Sequence, residues 1–153
     1  MLMRHALRTA IAAAAILLMA ACGADDDSDD LAAILDADKP HVTVDATFGQ
    51  TELEALGRQT LWIRQSDGWD PCPDELVGDV PPEPCWIRVF VDDTQVSILF
   101  PDPDGSLGPF PITIHFGVFH LYPGEHALRL VQATRLDVRE TAPTTLMIRP
   151  PSP

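Results

Sequence analysis

The sequence predicts an all-β protein, folded as a single antiparallel β-sandwich. Seven or so short segments alternate between apolar and polar side chains, which is the period of a half-buried strand. Turn residues separate these segments, and most of the 15 prolines fall in loops or at strand ends, where no ladder hydrogen bond is lost. No convincing helical pattern accompanies them. Short strands with regular turns are typical of β-sandwiches.

Residues 1–21 carry the pattern of a targeting segment and are set aside from the fold. A positive end is followed by the apolar run 10–20, which is too short to span a bilayer, since spanning takes about 20 apolar residues. The run ends in Ala20-Ala21-Cys22, and this ending resembles a bacterial lipoprotein signal. Ordinary cleavage without lipid is the alternative, although it would place Met19 where a small residue is favoured.

The lipoprotein resemblance implies that the mature chain begins at Cys22, carries lipid there and is held at a membrane surface outside the cytoplasm. If the envelope has two membranes, the resemblance favours the outer one, because Gly23 stands where an inner-membrane retention signal would have aspartate. More than one acyl chain is expected on the cysteine, since a single chain gives only marginal anchoring.

The mature chain is strongly acidic. Removing residues 1–21 leaves 132 residues, with eight basic side chains against 23 acidic ones, a formal charge of −15. Phosphate backbones would repel such a chain, which excludes nucleic-acid binding. No nucleophile constellation and no Gly-rich phosphate loop is present. We therefore expect a non-enzymatic protein without a cofactor.

Residues 22–39 are predicted to form an acidic tether. Asp25–Asp30 contribute five aspartates, and such a segment has too much like charge and too little apolar surface to fold. Residues 31–35 are short and apolar, and they are expected either to make one helical turn or to dock on the domain. The sandwich itself is predicted over residues 40–150.

The predicted strands cover residues 41–48, 58–65, 85–91, 96–100, 109–116, 127–136 and 144–149. Residues 51–57 fit either a short helical connection or an irregular strand. Alternation assigns an inward face to each strand. The residues expected inside include Val42, Val44, Ala46, Phe48, Ile87, Val89, Val91, Val96, Ile98, Phe100, Phe110, Ile112, Ile114, Phe116, Leu128, Leu130, Leu146 and Ile148.

Cys72 and Cys85 remain as a pair once Cys22 is assigned to lipid. They enclose most of a long excursion, residues 66–84, that contains five prolines. In an oxidising compartment a disulfide is expected here, worth about 3 kcal/mol on the chain-entropy model. A two-cysteine metal site is the alternative, but it lacks partners at ligand spacing.

The stretch Leu121–Leu128 resembles the corner of immunoglobulin-like domains on bacterial surfaces. In those domains a leucine, a Pro-Gly turn and a Tyr or His lead into the penultimate strand. Leu121, Pro123, Gly124 and His126 fill these positions. The resemblance implies an immunoglobulin-like sandwich in which His126 hydrogen-bonds backwards across the corner, as the tyrosine of a tyrosine corner does.

A repeated Trp-Ile-Arg tripeptide provides the candidate binding face. Alternation places Trp62 with Arg64, and Trp86 with Arg88, on the outer face if the isoleucines point inward. Together with Trp69 in the long loop, they could stack on a sugar ring or bind a partner protein. The alternatives are that the tryptophans lie in the core, or that each packs against its arginine in a cation–π contact.

Two weaker patterns point to metals. Asp102–Ser106 resembles the opening of a calcium loop but lacks the closing glutamate, and Pro-Asp-Gly is also an ordinary turn. His115, His120 and His126 would bind zinc only if the fold brought them together, since their spacing does not present two ligands side by side.

The sequence therefore predicts a lipid-anchored cell-envelope protein that acts as a protein-binding or structural module. An envelope protein or polysaccharide is the expected partner. A carbohydrate-binding module with exposed tryptophans and a metal-binding accessory protein are the two alternatives.

Overall fold

The computed structural model describes residues 31–35, 38–72 and 85–153. The predicted signal peptide, Cys22 and the aspartates of the tether lie outside these ranges. The elements in chain order are α1 (Leu31–Ile34), β1 (His41–Phe48), β2 (Glu52–Glu54), β3 (Arg58–Asp67), β4 (Ile87–Val91), β5 (Thr94–Leu99), β6 (Ser106–Leu107), β7 (Phe110–His115), α2 (Phe116–Phe119), β8 (Gly124–Ala133), β9 (Val138–Thr141) and β10 (Thr144–Arg149). The all-β prediction is confirmed.

The strands form two layers that share β1. In sheet A, β5, β4 and β8 are neighbours, and β9 and β10 occupy the other side of β8 at its two ends. In sheet B, β3 has β1 on one side and β6 and β7 on the other. Residues 41–44 of β1 pair with β9, whereas residues 45–48 pair with β3. This change of sheet joins both layers into one hydrogen-bonded path that is open at its ends.

The sheet is mixed rather than purely antiparallel, which corrects the prediction. β1 runs parallel to β9, and β2 runs parallel to β10. Alternation reports which face a side chain takes, but it carries no information on strand direction. Two strands were not predicted, because β6 has only two residues and β9 contains Arg139 and Glu140 among its four.

The core lies between the two sheets, and most of the predicted inward faces are correct. Sheet A contributes side chains from β4, β8 and β10, and sheet B contributes side chains from β3 and β7. The correctly predicted buried residues are Val44, Ile87, Val89, Val91, Val96, Ile112, Ile114, Phe116, Leu128, Leu130, Leu146 and Ile148. Ala46 and Phe48 pack against this core and are partly buried.

The prediction is wrong at the end of β5. Ser97 pairs with Val89 and Gln95 pairs with Phe90, so Val96 is an extra residue on its strand. Such a bulge reverses the alternation beyond it. Leu99 is therefore buried, whereas Ile98 is only partly buried and Phe100 is exposed. Val42 and Phe110, also expected inside, are exposed near the starts of their strands.

Helix α1 covers part of the outer face of sheet A. The Leu35 amide donates to the Leu31 carbonyl at 3.0 Å, closing one turn. Residues 31–35 therefore form a helical turn and also dock on the domain, so both predicted alternatives occur. The small apolar cluster beneath the turn consists of Leu31, Phe90, Val131 and Val138, with Ile34 and Leu35 packed against it. The packed part of the chain thus begins before residue 40.

The loop after β3 closes one end of the sandwich. Trp69 is only 2% exposed, and its indole N–H donates to the Ser66 hydroxyl at 2.8 Å. The backbone N–H groups of Gly68 and Trp69 both donate to the Gly105 carbonyl. A Cβ on Gly105 would stand 2.5 Å from the Trp69 carbonyl oxygen, so the two loops approach as closely as glycine permits. Trp69 is a core residue and not an exposed loop tip.

Gln132 fixes the other side of this loop. Its side chain is fully buried. The amide oxygen accepts from the Asp70 N–H, while the amide nitrogen donates to the Asp70 and Cys85 carbonyls, at 2.8, 2.8 and 3.1 Å. The predicted disulfide between Cys72 and Cys85 is confirmed, with 5.0 Å between the Cα atoms. Both ends of the excursion are therefore held at one place on sheet A.

Gln132→Leu is expected to lower the free energy of unfolding by about 1–3 kcal/mol, because it leaves buried polar groups of Asp70 and Cys85 without their partner. Chemical denaturation measures this loss. The control Gln65→Ala, at an exposed position, is expected to change stability by less than about 0.5 kcal/mol. Equal stability of the two variants would contradict the assigned role of Gln132.

Replacing Cys72 and Cys85 together by serine is expected to cost about 3 kcal/mol, because the unfolded chain regains the freedom of the closed loop. The wild-type chain in reducing agent provides the matched comparison and should unfold at nearly the same denaturant concentration as the variant. An oxidised wild type no more stable than the double variant would show that the bridge contributes nothing.

Candidate interaction surface

The five residues of the predicted binding face do not share a face. Trp62 and Arg64 lie on the outer face of sheet B. Trp86 directly precedes β4 of sheet A and Arg88 is the second residue of that strand, whereas Trp69 lies in the core. The two outer faces of a sandwich point in opposite directions. The structure therefore leaves Trp62 and Arg64 as the accessible pair.

Trp86 and Arg88 contact each other. The guanidinium carbon of Arg88 lies 5.7 Å from the centroid of the Trp86 ring, within the range of a cation–π interaction. Arg88 is only 3% exposed, and Trp86 is half-buried. In Trp86-Ile87-Arg88, the tryptophan therefore packs against its arginine, as the cation–π alternative predicted.

Trp62 is 48% exposed, while Leu61 and Ile63 on either side of it point into the core. Pro111 of β7 is its cross-strand partner, and the next outward-facing pair along the sheet is Thr60 with Thr113. Residues paired across neighbouring strands project to the same face. On the side of β7, the outward-facing neighbours of Trp62 are therefore Pro111 and Thr113.

A β-bulge places Arg64 beside Trp62. Phe48 pairs with Ile63 and Thr47 pairs with Gln65, so Arg64 is the extra residue. Both Arg64 and Gln65 consequently face solvent. A Cβ on Gly49 would stand 3.3 Å from the Trp62 Cβ and 3.8 Å from the Arg64 Nε. Gly49 thus keeps the space beside both side chains open.

Arg58 lies at the other end of this surface, where it is the cross-strand partner of His115. Within residues 31–35, 38–72 and 85–153, neither Arg58 nor Arg64 forms a side-chain hydrogen bond or ion pair. Both arginines are exposed. We call this surface the Trp62 face and define it by Arg58, Thr60, Trp62, Arg64, Pro111 and Thr113.

The predicted corner is organised by His126. Its Nε2 donates to the Tyr122 carbonyl at 2.8 Å, which is the backward hydrogen bond that the resemblance implied. Its Nδ1 donates to the Asp92 carboxylate at 2.7 Å. The second oxygen of Asp92 accepts the Ala127 N–H at 2.8 Å. The corner is thereby tied to the turn between β4 and β5.

These contacts favour the charged forms of both side chains. Burial alone would lower the pKa of His126, but the bonds to Asp92 and Tyr122 outweigh it and raise that pKa above its ordinary 6.5. Burial would likewise raise the pKa of Asp92, yet the Ala127 N–H and His126 lower it below 3.8. An imidazolium can donate from both ring nitrogens at once, as this geometry requires.

The two patterns that suggested metals have structural roles in the fold. Asp104 accepts hydrogen bonds from the Ser106 hydroxyl at 2.6 Å and the Ser106 amide at 3.0 Å, and these bonds lower the pKa of Asp104. The Asp102–Ser106 loop is thus an aspartate-capped turn that packs on Trp69. His115, His120 and His126 do not converge, since no group of three or more metal-ligating side chains occurs among the described residues.

Sequence reasoning missed Asp92 at the corner and four residues of the Trp62 face, namely Arg58, Thr60, Pro111 and Thr113. Asp92 was predicted only as part of a turn, and its hydrogen bonds to His126 and Ala127 were not predicted. Its backbone is left-handed, at φ 54°. Pro111 was not singled out, because its position beside Trp62 depends on the pairing register of β3 with β7. Alternation in one strand carries no register information across strands.

Comparison with known proteins found neither a matching family model nor a matching curated protein. The immunoglobulin-like resemblance therefore stays a prediction. In the part of the chain that the structure describes, both helices have only four residues, and neither is long enough to cross a membrane.

His126→Gln is expected to lower stability by about 1 kcal/mol near pH 5.5 and by less at pH 9. A raised histidine pKa stabilises the fold below pH 6.5, and this contribution disappears as pH rises through the folded-state value. The Asp92 contribution is present above pH 3.8 and is lost as pH falls. Chemical denaturation at several pH values measures how the free energy of unfolding changes in both pH ranges.

The control for this series is His120→Asn, since His120 is exposed and its left-handed backbone, at φ 52°, suits asparagine. It should change the free energy of unfolding by less than about 0.5 kcal/mol. A His126→Gln penalty that does not change between pH 5.5 and pH 9 would contradict a charged pair at the corner.

Proposed function

We propose that this chain is a lipid-anchored cell-envelope protein, not an enzyme, and that it binds a partner protein through the Trp62 face. The observation that carries the proposal is Trp62 itself, nearly half exposed on the outer face of sheet B and placed beside an exposed arginine. Tryptophan and arginine are the residues most enriched at binding hot spots.

The location rests on the lipoprotein-like ending at Cys22 and on the disulfide. A bridge between Cys72 and Cys85 is typical of proteins that fold outside the cytoplasm. The acidic segment between Cys22 and the packed domain fits a solvated spacer. These features support an envelope protein held at a membrane by its N-terminal lipid, with the outer membrane favoured by Gly23 where two membranes exist.

A protein partner is favoured over a polysaccharide. Oligosaccharide binding by stacking would draw on several exposed rings, but Trp69 is in the core and Trp86 packs against Arg88 on the other sheet. A single exposed tryptophan with apolar and hydroxyl neighbours matches the centre of a protein interface. A carbohydrate that stacks on Trp62 alone remains the second candidate.

Site-specific photo-cross-linking in producing cells tests the proposal. With the cross-linker at Thr60 or Thr113, we expect one defined envelope protein to be captured, and we expect capture to disappear with Trp62→Ala. The matched control is a cross-linker at Thr145, an exposed position on β10 of sheet A. Capture of polysaccharide only, or equal capture from Thr145, would contradict the proposal.

A second arm tests the anchor. Cys22→Ala is expected to release the chain from the membrane fraction into the soluble extract, because it removes the site of lipid attachment. Mass spectrometry of the wild-type N-terminal peptide should show acyl chains on Cys22. An unmodified N-terminal cysteine would contradict the lipoprotein assignment while leaving the binding face to be judged by cross-linking.

A further inference from the structure

We propose that the partner presents an extended acidic segment to the Trp62 face. This inference rests on the proposed function and adds the chemistry of the partner. The inference is based on the charge of this face, which is opposite in sign to the net charge of the chain. The whole chain has 23 acidic and 10 basic residues, yet the strip from Arg58 and His115 to Arg64 contains basic and neutral side chains only.

The two arginines of this face differ from three arginines elsewhere in the fold, each of which forms an ion pair. Arg129 pairs with Glu140, Arg139 with Asp137 and Arg149 with Glu52, at 3.9, 3.2 and 2.5 Å. In contrast, within the described residues Arg58 and Arg64 contact no carboxylate. A guanidinium presents a planar fork of N–H donors that matches a carboxylate in bidentate fashion. Both forks are available to a ligand from outside.

The spacing of the arginines sets the length of the segment. Arg58 and Arg64 are six positions apart on β3, which is about 20 Å at the strand rise of about 3.4 Å per residue. A segment of about six extended residues spans this distance. Its carboxylates would lie at its two ends, and an apolar side chain between them would contact Trp62 and Pro111.

Two exposed carboxylates bound the Trp62 face on one side. Beyond Gln65, Asp67 is the cross-strand partner of Asp45, and both are exposed. These two carboxylates would repel an acidic partner. The segment is therefore expected to extend from Trp62 towards Arg58 and His115 and to end near Arg64.

The net negative charge of the chain opposes the approach of an acidic partner over long distances. At physiological ionic strength, however, exposed charges are screened beyond about 8 Å. The two guanidiniums on the face itself then dominate the local interaction. Binding is consequently expected to be specific to this strip instead of being spread over the surface.

The test uses the mature full-length chain and a tryptophan-free heptapeptide with two glutamates at each end and a leucine in the middle. Titration calorimetry should show saturable binding. Arg58→Gln and Arg64→Gln should each weaken it about fivefold, and Trp62→Ala should weaken it at least as much. Asp67→Asn should strengthen it by removing a repelling charge.

Arg135→Gln is the matched control, because Arg135 is an exposed arginine in the turn between β8 and β9. It should leave binding unchanged. Equal weakening by Arg135→Gln would show unspecific charge attraction, and binding of polygalacturonate but not of the peptide would indicate an acidic sugar. Either result would overturn the inference.

Failure of the inference is distinguishable from failure of the proposed function. If cross-linking from Thr60 and Thr113 still captures one protein, but Arg58→Gln and Arg64→Gln do not reduce that capture, the face binds a partner that is not acidic. If cross-linking and peptide binding both fail, the face is not a binding surface at all.

Discussion

The buried side-chain amide of Gln132 holds one end of the sandwich together. Gln132 on β8 satisfies the backbone of Asp70 and Cys85, at the place on sheet A where the long loop from β3 of sheet B reaches β4. Trp69, one residue before Asp70, bonds to Ser66 of sheet B. The two sheets are thus connected at this end by a short run of chain whose buried polar groups have their partners, which is the condition for burying them at all. The disulfide then constrains the same two ends covalently.

The exposed Trp62 face is a consequence of this core. Leu61 and Ile63 fill the space between the sheets, so the residue between them must point outward. The bulge at Arg64 then returns Ser66 to the interior, where its hydroxyl bonds to Trp69 and to the Asp45 carbonyl. One irregularity therefore has two results, a second exposed side chain next to Trp62 and a buried anchor for Trp69. Packing alone explains Ser66, whereas the exposed pair Trp62 and Arg64 is what the proposed binding function rests on.

Sequence reasoning succeeded where information is local. Alternation identified the inward faces of β4 and β10, the count of cysteines identified the bridge, and the corner motif predicted a backward hydrogen bond from His126. Sequence reasoning failed where the environment of a residue depends on residues far away in the sequence. The bulge at Val96 is created by pairing with β4, and the burial of Trp69 depends on a loop more than 30 positions away, at Gly105. Strand direction and the neighbour of Trp62 on β7 required the register, which no single strand encodes.

The docking of α1 on sheet A limits the distance between Cys22 and the folded domain. Cys22 and Leu31 are nine positions apart, so the chain between them can extend at most about 30 Å. Because Leu31 is held against Phe90, Val131 and Val138, a lipid on Cys22 would keep the outer surface of sheet A close to the bilayer. The Trp62 face lies on the opposite side of the sandwich. Under the proposed function, the lipid and the Trp62 face would therefore lie on opposite sides of the domain, which leaves the face accessible from the space above the lipid headgroups.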